Sequence, residues 1–275
     1  MATLLSAALQ GRSLPSLRQP RRRPRKAAKA ARVKTRSYEV ALVRLSHQIS
    51  LEIAKVTGPI IREAEKAERK DAVIEDVGEV FAAFGRLRLR LLRLVRTGAV
   101  LGIVDKHGRR VAAANQADQE RILGIALADM TPAVQEALGA FRAANVELIE
   151  SIAVQQHAQV LDLVTRAVSS GMRAQTLRGQ IQERFRVSRS RAELIARDQI
   201  LKANSQLTQI RHREAGISEY IWITSSDERV RDMHSDLSGT HHSWTDPPVT
   251  NEQGDTNHPG EDYQCRCTAS PVLPA

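Results

Sequence analysis

The composition of the chain changes at Gly216, and this change limits the possible folds more than any other feature of the sequence. Before Gly216 the residues are mostly Ala, Leu, Val, Ile, Arg and Gln, which favour packed helices. After it come a run of aromatic and β-branched residues, Glu219–Thr224, and a region rich in Pro, Gly, Asp, Asn and His. We therefore predict an α+β fold, in which an elongated, mostly helical N-terminal and central region precedes a small C-terminal α+β module.

Apolar residues recur at helical spacing through the N-terminal part of the chain. They predict a helix from Ser37 to Arg69, kinked or split at Gly58-Pro59, and a second from about Ala72 to Arg96. The segment Thr97–Arg110 contains three glycines and is predicted as a loop or flexible joint. Together with helices that resume after it, these elements define a helical region over residues 37–140.

Boundary signals divide the helices that follow. Thr131-Pro132 combines a capping hydroxyl with a first-turn proline and predicts a helix start, and Ser170-Gly171 predicts a helix end. A short helix is predicted over residues 177–185. The next helix is predicted to begin at Ser188 or Ser190 and to end at the glycine where the composition changes.

The net charge of +10 comes from the N-terminal segment. Residues 1–36 contain 11 of the 41 Lys and Arg and no acidic residue, which leaves 30 basic and 31 acidic residues elsewhere. We predict that residues 1–36 form a disordered tail that binds a polyanion, with double-stranded DNA as the candidate partner. Alternatives are a solubility tail, a misannotated start and a transit peptide. The residues predicted to contact nucleic acid are Arg21, Arg22, Arg23, Arg25 and Lys26.

A second basic feature lies on one face of the predicted helix from Ala72 to Arg96. Its members are Arg86, Arg88, Arg90, Arg93 and Arg96. This stripe fits a nucleic acid or an acidic protein surface, but a solvated helix face is the simpler interpretation.

The segment Asp227–Cys267 holds most of the residues that can bind a metal. Four of the eight histidines lie in it, as do both cysteines, which form a Cys-x-Cys motif. Zinc accepts thiolates and imidazoles in tetrahedral geometry, and it would stabilise a β unit too small to bury much apolar surface. The alternative is that two reduced cysteines simply pack and the histidines are polar loop residues. The predicted zinc ligands are His234, His258, Cys265 and Cys267, with His241 and His242 as alternatives.

Two further predictions concern the same segment. A second short strand is predicted near Cys267–Val272. Asp227, Arg229 and Arg231 are predicted to form buried ion pairs that tie the first strand to the following loop.

Several motifs of the C-terminal half occur together in a recognisable order. They are Arg191–Gln199 with Arg197 and Asp198, Arg213–Gly216, Tyr220–Trp222, Asp227–Arg231, His234, Leu237, Gly239, Pro259-Gly260 and Cys265–Cys267, preceded by Asn145–Ile152, Gly171 and Arg184–Ser188. Their order resembles that in the phage Mu F-like minor head protein, or head morphogenesis, family. The resemblance implies an F-like domain over residues 141–275, with helices to about residue 215 and a β-containing module over 217–275.

The resemblance also implies a function. Members of that family are structural, low-copy proteins of the tailed-phage head, associated with the portal vertex, and some bind DNA. The expected partners are the portal protein and other head proteins, and the expected location is the virion, with the host cytoplasm during assembly. No apolar run is long enough to cross a bilayer, so a membrane protein is not expected.

Other function classes remain as alternatives. They are a zinc-dependent hydrolase or nuclease and a stand-alone nucleic-acid-binding protein. The sequence has no Gly-x-Ser-x-Gly, His-Glu-x-x-His or phosphate-binding glycine loop, so an enzyme is not predicted.

Overall fold

The computed structural model describes residues 24–68 and 77–273, with side chains from residue 35 onward. Long helices come first, and a small sheet follows. The elements are α1 Pro24–Glu68, α2 Val77–Val95, α3 Gly98–Leu123, α4 Pro132–Ser170, α5 Ala174–Glu214, β1 Glu219–Ile223, α6 Asp232–Asp236, β2 His241–Ser243 and β3 Thr268–Pro271. This order confirms the predicted α+β class, a mostly helical region followed by a small C-terminal module.

Helix α5 lies at the centre of the helical part and packs against α1, α3 and α4. The buried apolar side chains of α1 to α5 form one continuous core. Its completely buried members include Ile49, Leu87, Val104, Ile149 and Ile200, one from each helix. Each buried side chain of this size stabilises the fold by about 1.5–3 kcal/mol relative to exposure. The boundary predicted at residue 140 falls inside α4, so this core extends across it.

The prediction of a loop over Thr97–Arg110 is wrong, because α3 begins at Gly98. Thr97 has the extended backbone of a residue that precedes a helix, and buried Val100, Val104 and Val111 recur at helical spacing behind it. A Cβ on Gly108 would lie 3.1 Å from the Phe141 ring of α4. Glycine at 108 therefore permits close packing of two helices and does not mark a loop.

The predicted split of α1 at Gly58-Pro59 and the predicted start of a new helix at Ser188 or Ser190 are also absent. Helix α1 continues through Pro59, where the Thr57 hydroxyl donates to the carbonyl of Ile53 at 3.2 Å. Helix α5 runs through Ser188 and Ser190, so neither residue starts a new helix. In both helices, buried apolar residues on either side of the predicted break pack into the same core, and this packing outweighs the local signal.

The boundary predicted for the basic tail needs the same kind of correction. Helix α1 begins at Pro24, so residues 24–36 are helical rather than disordered. Proline suits the first turn of a helix, where its missing N–H has no intrahelical partner. Alanines at 27, 28, 30 and 31 then favour the helix strongly. The rest of the predicted tail, residues 1–23, lies outside the described residues.

Other predicted boundaries are confirmed. The Thr131 hydroxyl accepts a hydrogen bond from the N–H of Val134 at 3.3 Å and caps α4, which ends at Gly171 with φ +64°. Helix α5 stops before Gly216, which has φ +79°. There the N–H of Ile217 donates to the carbonyl of His212 at 2.8 Å, which closes a left-handed glycine terminator.

The three strands form an antiparallel sheet in the order β2-β1-β3. Strand β1 and strand β3 match the predicted strands, whereas β2 is only three residues long and was not predicted. The sheet has its own small core of Tyr220, Trp222, Trp244, Cys265 and Cys267. Within the described part of the chain, no helix is long and apolar enough to cross a membrane.

Candidate metal centre

Three side chains that can bind a metal converge beside β1. His234 lies in the short helix α6, and Cys265 and Cys267 lie in the loop before β3. Their ligand atoms all lie within 4.8 Å of one another. The three residues are 2%, 4% and 6% exposed, so the group is enclosed by protein.

The separations in this group fit a tetrahedral ion. Nδ1 of His234 lies 3.5 Å from the sulfur of Cys265 and 3.6 Å from that of Cys267. Zinc bonds of about 2.3 Å to sulfur and about 2.0 Å to nitrogen, at tetrahedral angles, place the two ligand atoms about 3.5 Å apart. The group therefore has the donor types and the spacing that zinc requires.

The loop that carries the cysteines is fixed against α5. Its Gln264, which has a left-handed backbone with φ +56°, donates its N–H to Oδ1 of Asp198 at 2.7 Å. The Ser205 hydroxyl donates to the carbonyl of Pro259 at 2.5 Å, and Gly260 packs closely against Ser205. Asp198, predicted as a structural motif residue, thus holds the backbone next to Cys265.

Hydrogen bonding within the group separates the acidities of the two thiols. The thiol of Cys267 donates a hydrogen bond to the sulfur of Cys265, and His234 is a second hydrogen-bond partner of that sulfur. These two hydrogen bonds lower the pKa of Cys265 to about 5. The resulting thiolate raises the pKa of Cys267 and also that of His234. One sulfur of the pair therefore ionises readily while the other keeps a proton, and a bound cation would displace that proton.

The same groups bear on the enzyme alternative. A thiolate beside an imidazole, with a carboxylate behind it, is also the arrangement of a cysteine nucleophile. Such a nucleophile needs a sulfur that a substrate can reach, but Cys265 is 4% exposed and shares its imidazole with Cys267. Metal binding therefore fits this geometry better than nucleophilic catalysis.

The structure does not place the other predicted histidines in the group. Nδ1 of His258 lies 2.9 Å from the hydroxyl of Tyr220, and its ring packs against Trp244. Nε2 of His242 lies 2.6 Å from the hydroxyl of Thr240, and His241 is exposed. Among the described residues, the group contains three ligands and not the predicted four.

The predicted buried ion pairs of Asp227 are wrong in partner and in burial. Asp227 is exposed and pairs with Arg266, which lowers the pKa of its carboxyl. Arg229 contributes only its backbone N–H to Asp227, at 3.1 Å, and Arg231 donates to the carbonyl of Tyr263 at 2.6 Å. These contacts tie the segment after β1 to the cysteine loop.

Arg197 and Gly239, the remaining predicted motif residues, have structural contacts. Arg197 pairs with Glu39 at 3.4 Å and so links α5 to α1. Gly239 has φ +85° and donates its N–H to the carbonyl of Trp222 at 2.8 Å, so it completes the turn between α6 and β2.

Sequence reasoning missed two features of this site. Tyr220, Trp222 and Trp244 pack with histidine rings around the centre. The aromatic and β-branched run Glu219–Thr224 was the available sequence signal for the first two. Asp262 was also missed, although its Oδ2 lies 2.9 Å from Nε2 of His234. Its only sequence signal is a position three residues before Cys265.

The predicted nucleic-acid contacts are placed only in part. Arg21, Arg22 and Arg23 lie outside the described residues, and Arg25 and Lys26 lie in the first turn of α1, ahead of the part whose side chains are described. The five arginines of the α2 stripe are all exposed. Arg96 among them is held by Glu150, at 2.7 and 3.0 Å.

Comparison with known proteins agrees with the resemblance. Residues 158–270 match the family described as Phage Mu protein F like protein, and this range contains the whole metal-capable group. The chain is 41% identical over 143 residues to a Haemophilus influenzae protein described as uncharacterised, over 52% of this chain but only 31% of that protein. No solved structure matches the chain. Residues 158–270 thus resemble the phage Mu F-like family.

Proposed function

We propose that this chain is a structural minor head protein of a tailed phage or prophage, associated with the portal vertex and contributing to capsid assembly, DNA packaging or DNA delivery. The family match over residues 158–270 carries the proposal. The buried geometry of the metal-capable group supports a structural rather than an enzymatic role. The proposed partners are the portal protein and other head proteins, in the virion and in the host cytoplasm during assembly.

Deletion of the gene from its phage tests this function. We expect normal amounts of coat protein but few infectious heads, with recovery when the intact chain is supplied from a plasmid. A normal yield of infectious particles without the protein would contradict the proposal. Counting filled heads by electron microscopy separates a defect in assembly or packaging from a defect in DNA delivery.

We further propose that zinc binds His234, Cys265 and Cys267 as a structural ion. Two cysteine sulfurs and one imidazole at tetrahedral spacing are the observation that supports zinc. Elemental analysis of protein purified without chelator should give about one zinc per chain, because the described part of each chain has one such group. Less than a tenth of an equivalent would remove the proposal, and the double variant Cys265→Ser/Cys267→Ser is the control that should lose the metal.

A contact between the N-terminal basic segment and double-stranded DNA is a separate proposal. Its support is the concentration of positive charge in residues 1–36. Because α1 begins at Pro24, deletion of residues 1–23 tests the segment while it leaves the helix complete. We expect weaker binding to DNA and a shallower dependence on salt. The variant Arg86→Gln/Arg93→Gln, which removes two exposed charges from α2, is the comparison. Unchanged affinity after the deletion would exclude this role for residues 1–23, which carry 5 of the 11 basic residues of the segment.

A further inference from the structure

The imidazole of His234 has a carboxylate behind it as well as two sulfurs in front. Its Nδ1 faces Cys265 and Cys267, and its Nε2 lies 2.9 Å from Oδ2 of Asp262. The side chain of His234 is 3% exposed and that of Asp262 is 13% exposed, so the contact is largely shielded from water. A metal on Nδ1 requires the proton of a neutral imidazole to be on Nε2. Asp262 is placed to accept that proton in a hydrogen bond.

Nε2 of His234 and Oδ2 of Asp262 make no hydrogen bond to any other atom in the described part of the chain. Both are buried and lack a well-aligned hydrogen-bond partner among the described residues. The two atoms already lie at hydrogen-bond distance from each other. Buried polar atoms without partners are rare and costly, so this pair suggests an arrangement that a bound ligand completes.

Asp262 is itself held in position. The amide of Asn257 donates to Oδ1 of Asp262 at 2.9 Å and to the hydroxyl of Thr250 at 3.0 Å. The carbonyl of Asp262 accepts the N–H of Cys265 at 3.0 Å. One residue therefore contacts His234 through its side chain and Cys265 through its backbone, so it fixes two of the metal-binding side chains relative to each other.

We infer that Asp262 is a positioning residue of the metal centre, which sets the Nδ1-binding orientation of His234, and that Asn257 fixes Asp262 for this role. The inference rests on the proposed zinc site and adds to it the chain of contacts that makes the imidazole a preorganised ligand. Carboxylates that orient metal-binding histidines typically change metal affinity about 10- to 100-fold when they are removed.

The test measures zinc affinity of the full chain by competition with a chelator of known affinity. Asp262→Asn keeps the size of the side chain but loses its charge, and we expect it to raise Kd about 10- to 100-fold. Asn257→Ala should raise Kd less, because Asp262 remains. The matched control is Asp236→Asn, which removes an exposed carboxylate from the same short helix as His234 and should leave Kd unchanged.

A second measurement separates positioning from a general loss of structure. In the zinc-loaded wild-type chain, nitrogen chemical shifts of His234 should show a metal on Nδ1 and a proton on Nε2. Zinc on Nε2 would overturn the inference. A Kd for Asp262→Asn within about twofold of the wild-type value would also overturn it, because an increase of roughly tenfold or more is expected. A wild-type chain that binds no zinc would instead overturn the proposed site itself, so the two failures are distinguishable.

Discussion

At the scale of single residues, buried polar groups tolerate the least change, because each needs a hydrogen-bond partner inside the protein. His212 of α5 is completely buried. Its Nε2 lies 2.9 Å from the side-chain oxygen of Gln119 on α3, whereas its Nδ1 has no hydrogen-bond partner in the described part of the chain. Protonation of Nδ1 would create a buried donor without an acceptor. Burial accordingly lowers the pKa of His212 to about 4.

This shift predicts a loss of stability in mild acid. The pKa of His212 is lower in the folded chain than in the unfolded chain, so the unfolded state binds the proton first as pH falls. The effect begins near the ordinary histidine pKa of about 6.5, continues to about 4, and amounts to about 2 kcal/mol at pH 5. Urea unfolding at pH 7.5 and pH 5 measures it. His212→Gln should reduce the difference, and the exposed control His47→Gln should not.

A pH dependence of unfolding that is the same in His212→Gln and in the wild-type chain would contradict this assignment. Other buried histidines contribute to the total, since burial also lowers the pKa of His258. The test therefore concerns only the part of the pH dependence of unfolding that is lost in His212→Gln. Metal should be kept saturating, because the centre also titrates in acid.

At the scale of elements, α3 shows how packing decides between a helix and a loop. Its glycines at 98, 102 and 108 lower the helix propensity of the segment, yet the segment is helical because Val100, Val104 and Val111 enter the core. Gly102 is exposed, and a Cβ added there would have no neighbouring atom within 4 Å, whereas Gly108 packs against Phe141. Two glycines of one helix thus have different physical roles.

Alanine substitutions should separate these roles. Gly102→Ala should raise the free energy of unfolding by about 0.5–1 kcal/mol, because alanine loses less backbone entropy and meets no neighbour. The free energy of unfolding of Gly108→Ala should be lower than that of Gly102→Ala by about 1 kcal/mol or more. The reason is that the new Cβ would lie 3.1 Å from Cδ1 of Phe141. Equal effects of the two substitutions in urea unfolding would show that the contact between α3 and α4 yields easily to an added methyl group.

At the scale of the whole molecule, two cores of different size share one chain. The helices bury a large apolar core, whereas the sheet depends on two tryptophans, one tyrosine and two cysteines. The small core has little apolar area, so metal binding would supply a larger share of its stability. The two parts meet where Asp198 and Ser205 of α5 hold the cysteine loop.

This division predicts a local response to chelation. Removal of metal from the full chain should increase hydrogen exchange in residues 217–273 and leave the buried amides of α1 to α5 protected, because the helical core does not contain the ligands. Peptide-resolved exchange before and after chelation measures this. The variant Cys265→Ser/Cys267→Ser should show the same increased exchange in residues 217–273 with or without chelator. An equal increase of exchange in the helices and in residues 217–273 would contradict this prediction.

Helix α4 and strand β1 were predictable because their signals are local. Alternating burial in β1 and helical spacing in α4 follow from side chains a few residues apart. The contacts of His258 and Asp262 were not predictable, because both follow from how the chain folds back between Trp244 and Cys265. For that reason the sequence did not predict that Asp262 contacts His234 and that His258 contacts Tyr220.

The sequence alone determined the α+β class, the end of α5 at Gly216, the F-like resemblance and the presence of Cys265 and Cys267 close to several histidines. Each depends on composition, short-range spacing or a motif. Only the tertiary structure decided that α3 is a helix, that Pro59 does not end α1, and that Asp262 rather than His258 adjoins the metal-capable group. The physical reason is that burial in a shared core outweighs local propensity, and that the spacing of ligand atoms depends on contacts between residues far apart in the chain.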